Sequence, residues 1–311
     1  MMAHRIGIIG LGKIAHDQHV PVIRANPAFS LAAVSSQRGL SVPGVPHAVR
    51  SHKEMLALRD VDAVAVCTPP QVRHLIARDA LLAGKHVLLE KPPAATLSEL
   101  EDLRRIAERE GRVLFTTWHS QYNRGVEEAR RALRGQAVRR LLVTWKEDVR
   151  HWHPGQNWIW QPGGFGVFNP GINALSIVTR IMPEPIFVRR AELEFPANRD
   201  APIAAGLEFG SGRADSDLRA VFDWRQTGPQ SWDIEIGTEA GTSLKLGQGG
   251  SRLEIDGHLV AEEKPQEYQG IYAHFAELLD MGRSEVDPDP FRLVADAFML
   301  GRRIEVAAFE D

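Results

Sequence analysis

Apolar runs of strand length alternate with helical patterns over the first 120 residues, and no other feature narrows the fold as much. Ile6-Gly7-Ile8-Ile9, Leu31–Ser35, Asp62–Cys67, His86–Leu89 and Val113–Thr117 are too uniformly apolar for strands with one wet face. Between them, Ser51 can cap a short helix through Met55, Leu56 and Leu58, and a helix through Leu75, Ile76, Ala80 and Leu82 ends at Gly84. Thr96 and Glu99 form a capping box ahead of the stripe Leu97, Leu100, Leu103, Ile106 and Ala107. This alternation predicts a parallel, doubly wound α/β sheet. Past Tyr122 the pattern changes. After a helix near Val126–Leu133, strand-like runs (Leu141–Val149, Ile186–Leu193, Ala205–Phe209, Leu218–Trp224, Trp232–Gly237, Thr242–Leu246) follow with few helices between them. They predict an α+β domain with a large, open, mostly antiparallel sheet. The expected domains are 1–120 and 121–311, with a last helix from Phe291 to about Ala308 packing back on the body.

A length of 311 residues suits two domains, and 43% apolar with 25% charged residues is ordinary for a globular protein. A formal charge of −3 without long Lys/Arg runs points away from nucleic acid and anionic membranes. One cysteine, Cys67, rules out an intrachain disulfide and any cysteine-rich metal site. With no apolar run of the roughly 20 residues needed to span a bilayer and no signal-peptide core, a cytoplasmic location is expected.

Gly10-Leu11-Gly12-Lys13-Ile14-Ala15 follows the first strand and satisfies the G-x-G-x-x-G/A pattern. Gly10 permits the tight turn, Gly12 lets backbone approach a pyrophosphate, and Ala15 lets the helix lie close to the strand. The phosphates would sit on the first free amides of that helix, around Lys13 and Ile14. Sites that prefer NAD usually place an acid after the second strand; here Ser36-Gln37-Arg38 stands there, and no acid follows until Glu54. A hydroxyl and a guanidinium suit a 2′-phosphate, so NADP is favoured, with NAD as the other choice. Thr68-Pro69, at the end of the third strand, belongs to the same crevice.

His86-Val87-Leu88-Leu89-Glu90-Lys91-Pro92 is a buried strand ending in a lysine, where open α/β sheets place their chemistry. On this stretch alone Lys91 is equally a surface lysine opening a loop. Glu147 ends the face shared by Leu141, Val143 and Trp145, leading either to solvent or into a site. His151–Trp160 gathers three of the seven tryptophans and two of the twelve histidines. Such a loop is a rigid aromatic cover, a lining for a small polyol, or both. No nearby acid or cysteine completes a ligand set with His151 and His153, so no metal is expected. In Gly163–Asn173 a glycine-rich approach leads into a helix through Leu175, Ile177, Val178 and Ile181; with its start near Pro170, Asn169 and Asn173, four apart, can face the same space. By themselves they read first as helix-start and turn residues.

Taken together, Gly10–Ala15, Glu90-Lys91-Pro92 and Gly163–Asn173 resemble the glucose–fructose oxidoreductase/inositol dehydrogenase family over essentially the whole chain. Trp118-His119-Ser120, Trp145–Val149, Trp152–Gln156 and Pro170–Ser176 are similar to its members that oxidise C1 of L-arabinose or D-galactose. The resemblance implies NAD(P) bound without metal, Lys91 beside the nicotinamide, a Lys91–Pro92 peptide that is often cis, and a monosaccharide held by His119, Glu147, Trp152 and His153. Separately, the open sheet face of the second domain would need covering, so a homodimer or higher homo-oligomer is expected. The position of Asn169 usually carries Asp, which would accept the proton of the sugar C1 hydroxyl; an amide of the same shape binds that hydroxyl but takes no proton. Asn173 is expected in this subgroup. The implied activity is thus an aldose 1-dehydrogenase scaffold whose rate is impaired at Asn169. Competing readings are an inositol or keto-sugar oxidoreductase of the same fold, and a non-catalytic NADP- or sugar-binding sensor.

Overall fold

The computed structural model describes residues 3–213 and 215–310. Its chain divides into two units, one running to Trp118 and taking up Tyr268–Pro288, the other comprising His119–Glu267 and the chain from Asp289 onward.

The first unit holds β1 (His4–Ile9), α1 (Val20–Ala25), β2 (Phe29–Ser35), β3 (His47–Val49), α2 (His52–Leu56), β4 (Ala63–Val66), α3 (Pro70–Leu82), β5 (His86–Leu89), α4 (Leu97–Glu110) and β6 (Leu114–Thr116). The strands are all parallel, in the order β3-β2-β1-β4-β5-β6. Order reverses beside β1, so the carboxyl ends of β1, β2 and β4 frame a crevice. Ser51 caps α2, and the Thr96–Glu99 capping box opens α4, as the sequence predicts. Ahead of α1, Ala15–His19 form a π turn in which the Val20 amide bonds to the Ala15 carbonyl. Pro21 accounts for it, because its ring would collide with a carbonyl in a regular helix.

The second unit holds α5 (Arg124–Leu133), β7 (Val138–Lys146), α6 (Val149–Trp152), α7 (Phe168–Ile181), β8 (Phe187–Pro196), β9 (Ala204–Gly210), β10 (Asp217–Asp223), β11 (Ser231–Thr238), β12 (Ser243–Gly247), β13 (Arg252–Ile255) and β14 (His258–Glu262). The chain continues through α8 (Glu267–Met281), α9 (Asp289–Leu300) and β15 (Arg302–Val306). The sheet order is β14-β13-β12-β11-β7-β10-β9-β8-β15. Only β7–β10 and β8–β15 pair in parallel, so the sheet is mixed and largely antiparallel.

Two expectations need correction. The second domain does not run unbroken from residue 121, because nearly all of α8 belongs to the first unit. Tyr268, Ile271, Tyr272 and Phe275 are buried, with Tyr272 and Phe275 against Phe29 and Phe275 stacked on Phe115. The last helix does not reach Ala308 but stops at Leu300. After Gly301 the alternating Arg302–Val306 adds to β8 as an edge strand, where cross-strand pairing outweighs the helical pattern of the residues before it.

Helix α7 is buried along most of its length, and it lies so close to the sheet that a Cβ at Gly171 would stand 2.8 Å from the Phe222 ring. That ring is fully buried on β10 and cannot retreat. Gly171→Ala is therefore expected to cost about 1–3 kcal/mol by overpacking. Urea unfolding followed by tryptophan fluorescence would show the loss, and an unshifted midpoint would refute this close approach.

Candidate active site

In the first unit, Gly10 adopts φ 95°, and a Cβ there would stand 2.9 Å from the Thr68 amide nitrogen. Only glycine fits this turn. A Cβ at Gly12, by contrast, would meet nothing within 4 Å, which leaves open the space a pyrophosphate would fill. Ile14 leads into the π turn, and exposed Lys13 pairs with Asp17. Thr68 Oγ1 is buried and makes no hydrogen bond among the described residues. Pro69 immediately precedes α3. After β2, Ser36 is buried and Gln37 and Arg38 are exposed. Arg50, which the sequence reading passed over, lies against the same turn, its guanidinium 3.4 Å from where a Gly39 Cβ would stand. These residues fit a dinucleotide, and two cations near the Ser36 turn fit one with an extra phosphate.

Lys91 stands at the end of β5, and the Lys91–Pro92 peptide is cis. Its neighbour Glu90 is 3% exposed and anchors a buried polar network. Glu90 Oε1 accepts from Tyr268 Oη at 2.7 Å and lies 3.0 Å from His19 Nε2, while Oε2 accepts from the Lys91 amide at 3.0 Å. His19 Nδ1 is 2.7 Å from Tyr272 Oη. The buried Arg73 guanidinium donates to the carbonyls of Thr68, Glu90 and Pro92, tying together the chain ends after β4 and β5. Burial pushes Arg73 down to about 10, with Glu90 among the groups opposing that shift, so it stays charged near neutrality. Burial also acts against a charged His19, but Cys67, Tyr272 and Glu90 outweigh it and hold the imidazole well above its ordinary range. Burial pushes the Tyr272 hydroxyl up to about 12, so it remains protonated.

In the second unit, Glu147 follows β7 and is 2% exposed. Its Oε2 accepts from Trp232 Nε1 at 2.8 Å, and Oε1 lies 3.4 Å from His153 Nε2. Oε1 accepts no hydrogen bond among the described residues, so a buried carboxylate oxygen still lacks a donor. Trp232 stacks on Trp145 with ring centres 5.7 Å apart, and Trp152 leans on Trp232 at 4.9 Å. Trp160, by contrast, is buried against Trp224 and belongs to the core. A carboxylate beside tryptophan faces is suited to a polyol with an apolar C–H side. Asn169 and Asn173 lie one turn apart on α7, Asn169 buried and Asn173 half-buried. The helix begins at Phe168, two residues before the expected Pro170. His119 opens a 3₁₀ turn, His119–Tyr122, and its Nδ1 is 2.8 Å from Glu267 Oε2. Trp232 and Glu267 escaped the sequence reading. Trp232 had a signal in the period of its strand, opposite Trp145.

The parallel sheet and its glycine turn define a nucleotide-binding α/β protein of the Rossmann type. The chain belongs to the oxidoreductase family with an NAD-binding Rossmann fold, whose profile matches residues 4–118. It is 47% identical to a galactose 1-dehydrogenase of Pseudomonas fluorescens over 314 aligned positions, covering 100% of both chains. The crystal structure of a D-galactose-1-dehydrogenase from Rhizobium etli superposes with a TM-score of 0.94 at 52% identity, covering 100% of this chain and 99% of that one. The 3-ketoreductase KijD10 of Actinomadura kijaniata, solved with TDP-benzene and NADP, shares the fold at 19% identity and a TM-score of 0.82, covering 98% of this chain and 99% of that one. Among the described residues no helix is long and apolar enough to cross a membrane.

Removing the Glu90 carboxylate would leave His19, Tyr268 Oη and the Lys91 amide without their acceptor. Glu90→Ala is expected to destabilise the protein by roughly 3–5 kcal/mol. Thermal unfolding of the full chain checks this, and an unchanged midpoint would remove the network from the stability of the first unit.

Proposed function

We propose that the chain is an NAD(P)-dependent aldose 1-dehydrogenase that oxidises the cyclic hemiacetal of D-galactose or L-arabinose to the aldonolactone. The observation that carries this reading is the full-length likeness to galactose 1-dehydrogenases. The Glu147–Trp232–Trp152 cluster supports it from the side of geometry. When bound, the dinucleotide supplies the hydride acceptor for C1–H. Lys91 hydrogen-bonds the C1 hydroxyl and its cation acidifies it. Asn169 and Asn173 bind that same oxygen. Glu147 Oε1 accepts from another sugar hydroxyl, with His153 and His119 reading the rest and Trp152 covering the ring's C–H face.

With an amide at Asn169, the side chain that would take the C1 hydroxyl proton is missing, so as hydride leaves C1 for the dinucleotide that proton passes to solvent water. Asn169→Asp is expected to raise kcat by about 10²–10⁴, the usual worth of a positioned proton acceptor. Steady-state rates with D-galactose and L-arabinose measure it. An unchanged rate would remove residue 169 from proton transfer. Tight sugar and cofactor binding by calorimetry, with no turnover in that variant, would instead establish a binding protein. Turnover of inositol in place of aldoses would replace the substrate assignment.

The preferred dinucleotide is NADP, held at its 2′-phosphate by Ser36, Arg38 and Arg50. Arg38→Ala and Arg50→Ala should each raise KM for NADP+ by about tenfold and leave KM for NAD+ within about twofold. Equal effects on both cofactors would refute the assignment. The protein acts in the cytoplasm as a homodimer or larger homo-oligomer. On the sheet face that carries Arg140, Leu142 and Thr144 of β7 with Arg219 and Val221 of β10, every one of these side chains is exposed or half-buried, which favours cover by a second copy.

A further inference from the structure

Glu267 has no part in the reading above, yet it is the residue His119 is fastened to. Its Oε2 is 2.8 Å from His119 Nδ1, and its Oε1 accepts from Asn123 Nδ2 at 2.7 Å. Asn123 Nδ2 also donates to the Gly249 carbonyl at 2.8 Å, so both of its amide hydrogens are committed and the amide cannot turn over. Ser120 Oγ adds a contact of 3.3 Å to His119 Nδ1.

Burial works against a charged Glu267, but His119 and the hydrogen bonds from His119, Asn123 and Ser120 prevail and hold the carboxyl below its usual range. The contact itself fixes the tautomer: a carboxylate oxygen that only accepts, 2.8 Å from Nδ1, requires a proton on Nδ1 in either charge state of the ring, and in the neutral ring that binds substrate it leaves the lone pair on Nε2. The turn that carries His119 is fixed to the helix of Asn169 and Asn173. Gln121 Nε2 donates to the Ser176 carbonyl at 3.0 Å, and Ser176 Oγ to the Asn173 carbonyl at 2.7 Å. Gly249, whose carbonyl holds Asn123, lies against the tryptophan pair; its Cβ would stand 3.6 Å from Trp145. The His119–Glu267 pair thus sits within the same framework as the residues assigned to the sugar, and not on an unrelated surface.

We propose that Glu267 is a positioning residue for sugar recognition: it holds His119 in the Nδ1–H tautomer, so that the imidazole meets the substrate as a hydrogen-bond acceptor at Nε2. The proposal rests on the assignment of His119 to the sugar. A glutamine at 267 keeps the size of the side chain but can offer an N–H to Nδ1, which would move the ring proton to Nε2 and take away the acceptor to which the sugar hydroxyl donates.

The test uses the full-length protein with NADP+ and compares Glu267→Gln, Glu267→Asp and His119→Ala. KM for D-galactose and for NADP+ is measured for each, and the His119 tautomer is read by long-range 15N–1H NMR. The expected result is an Nδ1–H ring in the parent protein and an Nε2–H ring in Glu267→Gln. KM for D-galactose should rise about tenfold in Glu267→Gln, KM for NADP+ should stay within about twofold, and Glu267→Asp should recover most of the loss. If His119→Ala raises KM for D-galactose while Glu267→Gln leaves it unchanged, the positioning role falls and the sugar assignment stands. If His119→Ala itself leaves that KM unchanged, the sugar assignment of His119 falls and takes the proposal with it. A parent ring protonated on Nε2 would overturn the proposal directly.

Discussion

One buried carboxylate organises the first unit. Glu90 collects the imidazole of His19, the hydroxyl of Tyr268 and the amide of Lys91, while Arg73 gathers the carbonyls on either side of it. Its partners come from the helix after the glycine turn, from a helix late in the chain and from the residue next door. Charges buried at this depth are tolerable only when each is matched, so the network permits little movement at its members. The lysine at the end of β5 inherits that rigidity through its own backbone amide. Its placement is set by groups that need never touch a substrate.

In the second unit, polar groups are held on a surface that does not flex, which is what the proposed polar substrate would need. Cross-strand pairing of Trp145 with Trp232 lays down a flat aromatic floor. The hydrogen bond from Trp232 fixes one oxygen of Glu147 and leaves the other buried beside His153. Helix α7, pressed onto β10 at Gly171, carries its two asparagines on that same rigid support. Under the proposed function, specificity built in this way would be strict, because a ligand missing the right hydroxyl would leave the buried Glu147 Oε1 unmatched.

The parallel sheet was legible because buried parallel strands are apolar on both faces, and Gly10, Thr96 and Glu90-Lys91-Pro92 announce their local geometry. Helix α8 went unread although Tyr268, Ile271, Tyr272 and Phe275 have helical spacing. Its partners Phe29 and Phe115 lie far away in sequence, and spacing alone does not say which unit a stripe covers. The strand after Gly301 was read as helix because five alternating residues are a weak signal at the end of a strong one. His19 and Glu267 were missed for the same reason as each other. A lone titratable residue in a helical stretch gains meaning only when its partner from elsewhere in the chain is in place.

The π turn of Ala15–His19 has a consequence for how this protein can vary. It holds one residue more than an α-helical turn, follows the glycine turn and ends at His19. Each residue of a helix advances the side-chain direction by about 100°. Deleting one residue from this stretch would restore an ordinary helical period, yet it would swing His19 away from Glu90. Side chains on its outer face, His16 and Gln18, are exposed and free to change, and Asp17 is held only by an exposed pair with Lys13. The segment therefore tolerates changes of identity far better than changes of length.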